Sequence, residues 1–111
     1  MKYFDFLDKI IESGIDAARR DYHEGSKLEG AIAGFEECRG KSPEIIRDLL
    51  SSATKKVNSL FCSEADVDEY WRAVCFMSEV QWTLNCICAA FGEPVTANTA
   101  VHANRILNEG T

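Results

Sequence analysis

A chain of 111 residues, 46% hydrophobic and 27% charged, has the size and composition of one globular domain; that excludes disorder and leaves enough apolar material for a core without staples. The 18 acids outnumber the 12 bases and leave a formal net charge of −6. A general phosphate binder is excluded on that balance, because little here would release counterions from nucleic acid.

Residues 3–24 place Phe4, Leu7, Ile11, Gly14, Ala18 and Tyr22 three or four apart, the stripe of an amphipathic helix. Asp5, Lys9, Glu12, Asp16, Arg19 and Arg20 fall on the other face. A second helix is announced by Ser26-Lys27-Leu28-Glu29, which matches a capping box, with Leu28, Ile32 and Phe35 inward and Gly40 past its end. Its interior contains Gly30 and Gly34, which together cost roughly 2 kcal/mol of propensity against alanine. Close approach of another helix across the two glycines would compensate.

Ser42-Pro43-Glu44 starts a third helix: serine at the N-cap, proline at the first position, a carboxylate at the positive end. Ile46, Leu49, Ala53, Val57 and Leu60 follow at helical spacing. Ser63 is read as the cap of a fourth helix over residues 64–91, about 42 Å long and ended by Gly92 and Pro94. Its main stripe is Tyr70, Ala73, Met77, Val80, Leu84, Ile87 and Phe91; a second runs through Trp71, Val74, Cys75, Trp82 and Cys86. Arg72, Glu79 and Thr83 form the narrow polar remainder. A weaker fifth helix is expected over residues 97–108, with Val101, Ile106 and Leu107 as its large apolar residues.

The expected fold is therefore all-α: a single domain over residues 1–111, an antiparallel bundle of about five helices around the long apolar helix 64–91. A membrane span is not expected, because Arg72, Glu79, Gln81 and Asn85 lie within the apolar window and a central charge costs about 2.5–3.5 kcal/mol.

Catalytic patterns are sparse. The five cysteines, Cys38, Cys62, Cys75, Cys86 and Cys88, contain no C-x-x-C, and neither histidine follows a glutamate by three residues. The N-terminal MKYFDFLDKIIE has acids where an export signal needs an unbroken apolar run, so the reading is a cytoplasmic protein with reduced thiols. Cys62, before a cap in a loop, is the thiol expected to be accessible. Asp5 with Asp8, and Asp66 with Glu69, are carboxylate pairs three apart; held together they would suit magnesium, as in helical nucleotide pyrophosphohydrolases. The Glu-x-x-Glu and Glu-x-x-Asp motifs of those enzymes are not met, and acids are favoured at helix beginnings anyway. No cofactor or metal is expected.

The functional expectation is a non-enzymatic protein that acts through protein–protein contact as a homodimer, with the character of small accessory or regulatory proteins of bacteria and phages. The interface residues singled out are Trp71 and Trp82, about three turns apart on one side, with Tyr70 and the acids Glu64, Asp66, Asp68 and Glu69. The alternative is a magnesium-dependent nucleotide hydrolase using Asp5, Asp8, Asp66 and Glu69. Nucleic acid is not an expected partner.

Overall fold

A computed structural model describes residues 2–91. Among the described residues there are four helices and no strand, so the fold is all-α: α1 (Tyr3–Asp21), α2 (Ser26–Cys38), α3 (Pro43–Phe61) and α4 (Val67–Phe91). The fifth helix expected at residues 97–108, and the Gly92 and Pro94 stop signals, lie outside the described residues.

The buried face of α1 is broader than one stripe. Phe6, Leu7, Ile10, Ile11, Gly14, Ile15 and Ala18 are all buried, in adjacent pairs repeated at each turn. Phe4, placed inward from sequence, is 54% exposed, and its ring stands edge-on to Tyr3 at 5.0 Å. Phe6 takes the core position instead and meets Phe91 of α4 edge-on at 5.5 Å. Full burial of residues such as Phe6, Leu7, Ile10 and Ile11 contributes about 1.5–3 kcal/mol each.

The capping box of α2 does not form. Gly25, at φ 100°, is the N-cap, and Ser26 is already helical. Both box side chains reach across to α4 instead: the Ser26 hydroxyl donates to Asp68 Oδ1 at 3.3 Å, and Glu29 accepts from Arg72 Nε at 3.1 Å. A glycine able to adopt positive φ lets the chain turn sharply into the helix, which frees the serine and glutamate for these tertiary links.

The two interior glycines of α2 do what their cost implied. A Cβ on Gly30 would stand 2.2 Å from the carbonyl oxygen of Arg72, and one on Gly34 would stand 2.7 Å from that of Phe76. The backbones of α2 and α4 therefore run in direct contact. On the other side of α2, the Phe35 ring lies over Gly14 of α1 and meets Trp82 of α4 edge-on at 5.7 Å, so one aromatic side chain joins three helices. Arg39, just past α2, reaches Asp8 and Glu12 of α1 at 3.5 and 2.6 Å and Glu36 at 3.0 Å. Tyr3 closes the same end, donating to the carbonyl of Lys41 at 2.7 Å.

The start of α3 follows its sequence signal: the Ser42 hydroxyl accepts from the Ile45 N–H at 3.3 Å and Pro43 occupies the first turn. Ile46, Ala53 and Val57 are its buried residues. By contrast, α4 starts three residues later than expected. Ser63 donates to the Leu60 carbonyl at 3.0 Å and so closes α3, while Asp66 caps α4, accepting from the Asp68 N–H at 3.2 Å. An aspartate is as good an N-cap as serine and wins here because it lies nearer the apolar run.

The helix α4 packs against α1, α2 and α3. It is less thoroughly wrapped than its composition suggested. Ala73, Cys75, Val80, Thr83, Leu84, Cys86 and Ile87 are buried, but only a third of its most apolar 18-residue window is. By length and composition alone α4 could cross a membrane. Thr83, assigned to the polar remainder, is completely buried; its hydroxyl donates to the Glu79 carbonyl at 2.8 Å, which satisfies it within the helix.

Candidate functional site

The end of α3 and the late start of α4 create an apolar corner. Val67, Tyr70 and Trp71 are spaced as one stripe on the first turns of α4, and Phe61 ends α3 beside them. Phe61 is 74% exposed, Val67 66% and Trp71 38%. The Tyr70 ring lies 6.3 Å from Phe61 and 5.7 Å from Trp71. The Lys27 ammonium sits 4.4 Å above the Trp71 ring, a contact that contributes about 0.5–1 kcal/mol at an exposed site. Phe61, Val67, Tyr70 and Trp71 line a shallow hollow of about 300 Å³. Glu64, Asp66, Asp68 and Glu69, interleaved in sequence with its lining residues, are all exposed.

On the neighbouring face of α4 lies a larger cleft of about 620 Å³, between α2, α3 and α4. Its floor is apolar and mostly small: Gly30, Ala33, Leu49, Ala53, Ala73 and Phe76. Small residues on three facing helices leave the volume open. The rim carries Asp66 and Glu69 from the start of α4, Arg72 one turn on, and Ser52 and Lys56 from α3. Arg72 is engaged by Glu29, so the remaining rim charges are two carboxylates and the Lys56 ammonium.

No protein-family model, curated protein or solved structure matches this chain.

The residues singled out from sequence fall into three places. Tyr70 and Trp71 line the hollow at the α3–α4 corner, with Glu64 and Asp68 in the same stretch of chain, while Asp66 and Glu69 line the neighbouring cleft. Trp82 does not join them: it is half-buried against Phe35. Asp5 and Asp8 lie on α1, with Asp8 at Arg39 beyond the C-terminal end of α2. Asp66 and Glu69 lie toward the opposite end of α2, where Ser26 meets Asp68. The 13 residues of α2 span about 18 Å between those ends. The two carboxylate pairs thus do not converge, and no group of three or more His, Cys, Asp and Glu that could hold a metal ion occurs among the described residues.

The five cysteines form no disulfide with one another. Cys62 is exposed, as expected from its loop position, while Cys38, Cys75 and Cys86 are buried. Burial pushes the Cys38 and Cys86 thiols up to about 12, which keeps them protonated and unreactive.

Several participants carried too little sequence signal to be found. Phe61 and Val67 fall outside the apolar stripes that the sequence shows. Glu79 read as part of a solvated strip, yet it is half-buried against α2, where its Cβ lies near Gly34. Burial, with the Asp21 carboxylate adding to it, pushes its carboxyl up to about 7. The same neighbourhood holds Tyr22 and Cys75, and burial raises both.

Proposed function

We propose that this is a small non-enzymatic, cytoplasmic protein that works by protein–protein contact and self-associates as a homodimer through the α3–α4 corner. The observation that carries this reading is the cluster of exposed Phe61, Val67 and Trp71 around half-buried Tyr70, gathered at one corner of the fold. Aromatic residues within a charged border are the usual anatomy of an interaction surface. Charges of both signs border the cluster, Lys27 as well as the four acids, so two copies about a twofold axis can set cation against carboxylate. For the whole chain we propose an antiparallel five-helix bundle in which residues 97–108 supply the last helix.

Light scattering over a concentration series tests the reading. The wild-type chain is expected at twice the monomer mass, and Phe61→Ser, at a position that contributes little to the core, is expected to return it to monomer. A monomer mass for wild type at every concentration refutes the dimer. The absence of catalysis is tested by adding magnesium and nucleotide triphosphates; phosphate release that disappears in Asp66→Ala/Glu69→Ala would overturn the non-enzymatic reading.

A further inference from the structure

We infer that the cleft between α2, α3 and α4 receives a basic amphipathic helix of a partner protein, which inserts apolar side chains onto the floor and sets lysine or arginine against Asp66 and Glu69. The inference rests on the reading that this protein works by protein contact, and adds where the partner sits and what its chemistry is.

Three observations converge on that occupant. The first is shape. Gly30, Ala33, Ala53 and Ala73 lay a floor of small residues under about 620 Å³, enough for more than one large side chain. An amphipathic helix presents such side chains at i, i+3 and i+4. The second is charge. With Arg72 paired to Glu29, Asp66 and Glu69 outweigh Lys56 on the rim, exposed Glu64 and Asp68 outweigh Lys27 beside it, and the whole chain carries −6. A cationic segment is favoured there and an acidic one repelled. The third is continuity. The cleft and the aromatic hollow lie on adjoining faces of the first turns of α4, through Asp66, Glu69 and Ala73 on one side and Val67, Tyr70 and Trp71 on the other. A helix seated in the cleft runs alongside that hollow without covering it, so the dimer contact and the partner site form one continuous interaction face.

The probe is a synthetic leucine–lysine peptide of about five helical turns, with leucines at amphipathic spacing, and its counterpart with glutamate for every lysine. Binding to the full chain is followed by calorimetry. The basic peptide is expected to bind and the acidic one not to. Asp66→Asn/Glu69→Gln is expected to weaken binding by about tenfold or more. Ala33→Trp, at an exposed position on the cleft, is expected to abolish it while the circular dichroism spectrum stays helical. Asp5→Asn/Asp16→Asn removes the same charge from the exposed face of α1 and is expected to change nothing. Equal weakening by the α1 variant would mean that general acidity attracts the peptide, and would overturn the inference. So would tight binding by the acidic peptide, undiminished binding to Ala33→Trp, or no binding at all. The last result, obtained with a wild-type dimer that Phe61→Ser dissociates, would remove the cleft proposal and leave the contact reading standing.

Discussion

A single methyl group added at Gly30 would drive α2 and α4 apart. In the Gly30→Ala variant the new carbon would stand 2.2 Å from the Arg72 carbonyl oxygen and 2.9 Å from the carbonyl carbon and Cα behind it. Such contacts essentially never fall under 3.0 Å, so the two backbones must separate by at least about 0.8 Å. No flexible side chain can yield, because every atom met belongs to the main chain of α4. Overpacking of this kind costs about 1–3 kcal/mol and more when a backbone must shift. Alanine also returns about 1 kcal/mol of helix propensity, which lowers the net loss to about 2 kcal/mol. For a domain of this size that corresponds to a fall in Tm of about 8–16 °C. Urea and thermal unfolding followed by circular dichroism measure it directly. Gly34→Ala, with its closest contact at 2.7 Å, is expected to lose less than Gly30→Ala. Were Gly30→Ala instead more stable by about 1 kcal/mol, as propensity alone requires, the close approach of α2 and α4 would be wrong.

Glu79 gives the fold a defined response to pH. Its carboxyl rises from 4.5 to about 7 on folding, so the folded chain holds the proton more tightly and stability falls as pH rises between those values. The shift corresponds to about 3 kcal/mol, reduced to about 1–2 by the solvent that reaches a half-buried group. Glu79→Gln is expected to be the more stable chain above pH 7 and to differ little below pH 4.5, and a difference curve of the same sign and size at every pH would contradict the assignment. Two serines separate real from apparent caps: Ser42→Ala is expected to cost about 1 kcal/mol by urea unfolding, and Ser26→Ala less than about 0.5, because only Ser42 accepts from its helix. Thiol titration with an aromatic disulfide is expected to show a fast phase that Cys62→Ser removes, with Cys38 and Cys86 reacting only after unfolding.

The helices were legible because their apolar spacing is local and redundant. Residues 43–61 show this best: serine, proline and a repeat of apolar positions all agree, and the helix lies where they put it. Boundaries set by competition were not legible. Ser26 and Ser63 are good cap residues by type, yet one is taken by Asp68 and the other by the Leu60 carbonyl. Nothing in a linear pattern reveals a bond made across the fold. Gly30 and Gly34 did carry their message, because two glycines inside a helix need a reason. The corner was half legible. Tyr70, Trp71 and the acids around them stand out in sequence, but Phe61 and the cleft exist only because three helices meet, and Trp82 was drawn inward by Phe35.

The shortest of the described helices, α2, also has the weakest claim to independent existence among them. With 13 residues, two of them interior glycines, α2 falls at the length where an isolated segment is marginal even when rich in alanine. It is helical because α4 offers a surface on which its main chain can lie. Its backbone amides should accordingly exchange with heavy water as one group, at the free energy needed to lift it away from α4.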